Sequence, residues 1–405
     1  MSAEIQAEIP AEIQTDAPKP LMTAFLRTAW FLGRVWRLLF GLLLCLAPVT
    51  AVLVVGWSYR LQQRVVLRQW FLRRAAGAEE GPSAHFSAFV REDERLAGFA
   101  DWPNWIIGRA RPRHEHVGKR QRIMNFFADL FWRASGSLWI NLRLGMQALL
   151  TVWAVTLPIG LMWLLAWWSG WQNSFTKGYE QAWVGPVLGL SAIAVFVIVM
   201  IYVPMAQARH AATGQWRTFF QLRTIRLLIA ERRSAYLGLT ALVAVFWVLL
   251  GGMRALPMLF PHIISGFEDM SRARALQAAE PLYLLATAAC FAAILGTRAV
   301  AARVYAGAIL SALNAGRLTL SELAPVERVT LTRLNLLNGA IDGKERRNGR
   351  LRRIWRRALE GLVVIAVPAI WIAVAVSIFV TQFLHYDWAG WLNHPIIHLP
   401  WLHRP

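Results

Sequence analysis

The sequence predicts an all-α integral membrane protein, and three observations carry that expectation. Hydrophobic residues make up 57% of the 405-residue chain and charged ones only 16%, too little charge to cover a soluble domain of this size. Tryptophan occurs 21 times, the residue that anchors helices at membrane–water boundaries. Asp, Glu, Lys and Arg are absent from long stretches of chain. Backbone groups buried in lipid must be satisfied internally, which leaves helix and excludes an open-edged sheet.

The first 20 residues carry a near-repeat, Ala-Glu-Ile-Gln, Ala-Glu-Ile-Pro, Ala-Glu-Ile-Gln, followed by Pro-Lys-Pro. This composition reads as a short disordered acidic tail. It lacks the basic start of a cleaved signal peptide, so the first hydrophobic element is expected to stay on the chain.

Charge-free stretches then locate the spans. They run between Arg37 and Arg60, Arg143 and Lys177, Glu180 and Arg209, Arg233 and Arg254, Glu280 and Arg298, and Glu360 and Asp387. A helix rising about 1.5 Å per residue needs roughly 20 apolar residues to cross a hydrocarbon core of about 30 Å. Five transmembrane helices are therefore expected at 147–168, 184–206, 236–257, 281–303 and 360–383, with one re-entrant or spanning hydrophobic helix at 38–57. That sixth element has basic flanks on both sides, Arg27, Arg34 and Arg37 before it and Arg60, Arg64 and Arg68 after it, with Pro48 at its middle. A re-entrant hairpin bent at Ala47-Pro48 and a single span with the N-terminus outside both fit, and the paired basic flanks favour the hairpin.

The loops sort by charge. Segment 58–146 holds 15 Lys/Arg against 8 Asp/Glu, 207–235 holds 6 against 1, and 298–358 holds 13 against 4, whereas the alternate loops are balanced. Excess Lys/Arg marks the cytoplasmic side, which places the C-terminus outside. The net charge of +20 is thus topogenic, and nucleic acid is not expected as a partner.

Two amphipathic segments follow on the basic side. From Gln121 to Leu138, Arg122, Asn125, Asp129 and Arg133 share one face and Ile123, Phe126, Phe127, Leu130 and Phe131 the other, as in an interfacial helix leading into the next span. Lys344 to Arg357 carries eight basic residues. Arg346, Arg347, Arg350, Arg352, Arg353, Arg356 and Arg357 are the candidate contacts to anionic lipid headgroups, each attracted by roughly 1 kcal/mol. The plainer alternative is that they only fix orientation.

The resulting organisation is a disordered tail at 1–20, an N-terminal hydrophobic hairpin or span plus basic segment and interfacial helix at 21–146, and helices 2–4 at 147–257. An outer loop and helix 5 occupy 258–310, the polybasic cytoplasmic segment 311–358, and helix 6 with an outer tail 359–405.

Residues Tyr202–Arg223 read as a connector, with Ala206, Ala208, Ala211 and Ala212 allowing close packing and Gly214 able to end the helix in a left-handed conformation. Residues Val304–Leu323 repeat this plan 102 residues later, with Gly316 in the place of Gly214. The run from Ala182 to about Tyr305 resembles a bacterial family of polytopic membrane proteins known only as a domain of unknown function. Trp183-Val184-Gly185-Pro186, Tyr202-Val203-Pro204-Met205-Ala206-Gln207-Ala208-Arg209 and Gly214-Gln215-Trp216-Arg217-Thr218-Phe219-Phe220 carry the likeness. The earlier Val55-Gly56-Trp57-Ser58-Tyr59-Arg60 with Gln63-Arg64 also looks family-like. The resemblance implies helical architecture and a bacterial cytoplasmic membrane, and supplies no reaction or ligand.

No Walker, GxGxxG, HExxH, paired CxxC or GxSxG motif stands in a plausible context, so no catalytic residue, cofactor or metal site is expected. Charged residues are missing from the middle of the spans, which argues against a proton-coupled pump. Arg298 and Arg303 are expected to snorkel from their helix end, and Gln147 and Gln207 lie near boundaries. His394 and His398 would share a helical face, but Pro395 and Pro400 interrupt the run, and the neighbouring tryptophans read as interfacial anchors. His114 and His116 are too close in sequence to converge. Cys45 and Cys290 both fall in apolar segments, which speaks against a structural disulfide. The expected function is a non-enzymatic membrane scaffold or accessory subunit with membrane lipid and a membrane protein as partners. A transporter or lipid-handling protein is the alternative.

Overall fold

The computed structural model describes residues 35–74, 119–169, 183–337 except 268, and 350–379, together with residues 33, 86, 89, 90, 103 and 105. The described residues contain helix and no strand. Met1–Gly41 and Leu42–Pro405 form separate compact units. Apart from the short helix Val35–Leu44, which runs across that division, everything below concerns the second.

Among the described residues of this unit, eight helices of nine residues or more carry the fold. They are α1 (Pro48–Leu72), α2 (Lys119–Trp167), α3 (Val184–Thr213), α4 (Leu222–Glu231), α5 (Arg233–Ala255), α6 (Arg272–Asn314), α7 (Pro325–Arg333) and α8 (Arg350–Phe379). Short 3-10 turns at Trp216–Phe220 and Leu320–Glu322 precede α4 and α7. Helix α3 lies at the centre, packed on α1, α2, α6 and α8. Four stretches are long and apolar enough to cross a membrane: Ser135–Ala166, Val184–Thr213, Arg233–Leu250 and Ala273–Asn314. They coincide with four of the five expected spans. The fifth falls on α8, whose apolar stretch Glu360–Val376 is shorter, and residues 380–383 lie outside the described residues.

The hydrophobic element expected at 38–57 is not one helix. A short apolar helix, Val35–Leu44, ends at a turn over Cys45–Ala47, and Pro48 then opens α1. Proline suits the first helical turn, where its missing N–H removes no bond. The Thr50 hydroxyl reaches back across the break to the Leu44 carbonyl at 2.6 Å. Beyond the expected end at Trp57, α1 runs on to Leu72, because Arg60, Arg64 and Arg68 lie on a helix packed against protein.

Residues 121–138 are the opening part of the 49-residue α2, which leads into the expected span without interruption. At about 1.5 Å per residue α2 is about 74 Å long and α6 about 64 Å, against a hydrocarbon core of about 30 Å. Both therefore extend well past the bilayer.

The outward faces confirm where lipid belongs. Leu150 and Leu165 on α2, Leu190 and Ile198 on α3, Leu249 on α5, Leu285 on α6 and Leu362 and Ile365 on α8 are all exposed. Such a belt of large apolar side chains is stable only against lipid. Toward the basic end the pattern inverts. On α3 every residue from Val203 to Thr213 except Pro204 is buried, and on α6 Ala301, Ala302, Tyr305, Ala306, Ala308, Ile309, Leu310 and Ala312 are buried.

The 102-residue echo is structural. Gly214 and Gly316 both adopt left-handed φ, 68° and 65°, which a side chain would strain. After each, the chain makes a 3-10 turn and a short helix, α4 of 10 residues or α7 of 9. Two related helix–connector units are thus built into the bundle.

Candidate functional site

The segment Val55-Gly56-Trp57-Ser58-Tyr59-Arg60 on α1 is where the polar contacts of the bundle converge. Gly56 sits at the closest approach of two backbones: a Cβ there would lie 1.8 Å from the Asn141 carbonyl oxygen. Gly145 answers it on α2, where a Cβ would lie 2.1 Å from the Val52 carbonyl oxygen. Small residues let membrane helices meet in this way. Trp57 stacks on Trp105 at 4.4 Å, and its indole N–H donates to the Pro103 carbonyl at 2.7 Å. Arg60 Nη1 donates to Asn141 Oδ1 at 2.9 Å and to Ser137 Oγ at 3.2 Å. Gln63 donates to the Ala212 carbonyl on α3 at 3.2 Å, and Trp70 to the Ala306 carbonyl on α6 at 3.1 Å.

Arg298 on α6 completes the layer. It does not snorkel. Only 7% of its surface is exposed, whereas Arg303, one turn on, is exposed. Its Nη1 donates to the Val55 carbonyl at 3.0 Å and to the Ser58 hydroxyl, and its guanidinium lies 4.6 Å from the Tyr59 ring centroid. Among the described residues no carboxylate forms an ion pair with it. Dipoles and an aromatic face therefore stand in for a counter-ion, a cation–π contact giving roughly 0.5–2 kcal/mol. His210 of α3 meets the same Tyr59 ring edge-on at 5.1 Å. Its two ring nitrogens, the Tyr59 hydroxyl and both amide atoms of Gln62 are buried with no hydrogen-bond partner among the described residues. A cavity of ≈ 30 Å³ lined by Gln62, Gln207, Thr297 and Arg298 adjoins them, room for about one water.

A second cluster sits beyond this layer, under α7. Glu327 is fully buried and accepts from the Tyr305 hydroxyl and, at 2.7 Å, from the Ala324 N–H, closing the N-terminus of α7. Burial pushes the Glu327 carboxyl above its usual value, while nearby Arg209, the Tyr305 hydroxyl and the Ala324 N–H oppose the shift. Arg209 is 1% exposed and donates from Nη2 to the Glu322 carbonyl at 3.0 Å. Glu322 itself is half-buried, and its hydrogen bonds from the Thr319 N–H and hydroxyl hold its carboxyl below the usual range.

The candidate lipid contacts divide. Arg346 and Arg347 lie outside the described residues, and Arg350, Arg352, Arg353, Arg356 and Arg357 fall on the first turns of the α8 backbone. His114, His116, His394 and His398 also lie outside the described residues. The buried set of Gln62, His210, Tyr305 and Glu327, divided between these two clusters, was not singled out by sequence reasoning. Its signal was available in part: Ser58, Tyr59, Gln62 and Gln63 are polar at spacings of three to five on one helix and share a face. Comparison with protein-family models, with curated proteins and with solved structures finds no significant match to this chain.

Proposed function

We propose that this protein is a non-enzymatic polytopic membrane scaffold or accessory subunit of a membrane complex, with a basic face toward the cytoplasm. The observation that supports this most is the enclosed basic end of the bundle. Arg298, Gln63, Trp70 and Glu327 each tie one element to another, so the polar groups that could have served chemistry act as struts. A body held in this way, with room for about one water in the cavity beside Arg298, suits a rigid platform better than a moving path.

In this reading the chain crosses a bacterial cytoplasmic membrane five times, counting α8. The element at 38–57 re-enters on the cytoplasmic side through its bend at Ala47-Pro48, and the C-terminus is outside. The loop charges support that sidedness, and the arginines of the 344–357 segment contact anionic headgroups. A phosphatase fused after Pro405 should be active outside the cytoplasm, and fluorescence of a cytoplasm-dependent reporter at that position would reverse the topology.

One observation favours a second reading, a transporter or lipid-handling protein. Arg298 is a buried cation with no ionised partner among the described residues, beside a cavity. Purification from native membranes in mild detergent separates the two. A stoichiometric protein partner is the expected result, and isolation of the chain alone with a bound lipid or solute would replace the scaffold with the second reading.

A further inference from the structure

The two structural repeats meet at a groove of ≈ 450 Å³ between the connector before α4 and the connector before α7. Its walls include the first turn of α4 (Leu222, Arg223, Thr224), the turn at Ser321–Glu322, and Arg209 from the end of α3. Three independent features there point to a negatively charged oxygen ligand.

The first is Arg209. It is 1% exposed, and its Nε and Nη1 have no hydrogen-bond partner among the described residues. A guanidinium presents five donors in a rigid fork, and leaving two unmet at a groove wall is costly unless an acceptor arrives. The second is the N-terminus of α4, which carries no side-chain cap at Gln221. Its first-turn residues Leu222, Arg223 and Thr224 line the groove, and a helix N-terminus favours an anion. The third is Arg223, exposed on that same first turn, which adds a cation that can close over a ligand. One carboxylate also lines the groove. Glu322 is held on its own cap by the Thr319 N–H and hydroxyl, and Arg223 and Arg209 lie near enough to favour its ionised form.

The rim adds a further property. Trp216, Phe220, Leu222 and Leu320 are exposed around the groove, on the 3-10 turns and the α4 start of the basic end. Exposed aromatic and aliphatic side chains at that level suit the boundary between headgroups and acyl chains.

We propose that this groove is an oxyanion site that takes a phosphate group, recognised by Arg209, Arg223 and the first turn of α4. It is distinct from the arginines of the 344–357 segment and independent of any protein partner. The phosphate can belong to a lipid headgroup or be free in solution, and the chemistry of recognition is the same for both.

The test uses the full chain in phosphatidylcholine nanodiscs, with thermal unfolding as readout. One arm titrates inorganic phosphate against chloride at equal ionic strength, and the other replaces part of the phosphatidylcholine with phosphatidic acid. Arg223→Gln and Ser321→Glu alter exposed positions and should fold as the wild type does. Stabilisation in either arm, weakened about tenfold in apparent affinity by each substitution, is the expected result. Stabilisation by phosphatidic acid alone assigns a lipid headgroup, and stabilisation by inorganic phosphate assigns a soluble ligand. No stabilisation in either arm overturns the proposal. So does a response that both variants keep in full, or one that disappears only when Arg352, Arg353, Arg356 and Arg357 are changed to Gln.

Discussion

The first and second halves of α3 are the same helix in opposite surroundings. From Val184 to Ile201 large side chains such as Leu190 and Ile198 face outward, and from Val203 to Thr213 almost nothing does. Helix α6 repeats the contrast, with Leu284 and Leu285 exposed and Ala301–Ala312 largely enclosed. In the first zone lipid accepts apolar surface at no cost, so packing and small residues alone hold the helices together. In the second, water is the competing solvent, burial itself stabilises, and each buried polar atom needs a partner. The boundary of charge in the sequence therefore does not mark the edge of the folded bundle.

The sharpest way to break this arrangement is at the backbone contact that spans both zones. Gly56→Leu would drive a side chain into the α2 backbone at Asn141, where even a Cβ overlaps. A loss of about 3 kcal/mol or more is expected, seen as aggregation or a collapsed yield of monodisperse protein in detergent. A Gly56→Leu variant as stable as wild type would mean α1 and α2 do not meet there.

Next in size is the enclosed acid. Glu327→Ala leaves the Tyr305 hydroxyl and the Ala324 N–H without their acceptor and should cost about 2–3 kcal/mol in thermal or denaturant unfolding. Glu327→Gln keeps an acceptor and should cost less. The pH dependence follows from the direction of the shift. A carboxyl raised by burial binds its proton more tightly folded than unfolded, so its contribution falls as pH rises above the unfolded value near 4.5. Wild-type stability should decline over that window, and Glu327→Gln should flatten the decline. An unchanged slope in the variant would remove Glu327 as its source.

The helical class, four of the spans and the two left-handed glycines were legible in the sequence, because charge-free runs and helix-ending glycines are local signals. What was not legible depends on which helices face one another. Arg298 looked like a snorkelling residue because it falls at the end of its expected span, yet its partners are Val55 and Ser58, some 240 residues away. Pro48 marked the break at 38–57, but the continuation of α1 past Arg60 depends on the packing of α1 on α2 and α6, which buries Gln62, Gln63, Val66, Leu67 and Trp70.

Smaller effects sharpen the comparison between zones. Met205→Ala in the enclosed half of α3 should cost about 2–4 kcal/mol, and Leu190→Ala on its outward face within about 0.5 kcal/mol in the same detergent. Equal losses at the two positions would erase the distinction between lipid-facing and protein-packed halves.

Accessibility tests that distinction most directly. In a background with Cys45 and Cys290 replaced, Ala208→Cys, Ala302→Cys and Gln215→Cys place single thiols in the enclosed half of α3, in the enclosed half of α6 and in the exposed connector. Treated with a small water-soluble thiol reagent in detergent, the protein should react quickly at position 215. Positions 208 and 302 should stay unlabelled until it is denatured. Labelling of 208 and 302 as fast as 215 would contradict the account, since the basic ends of α3 and α6 would then be bathed in water instead of enclosed by α1, α4 and α7.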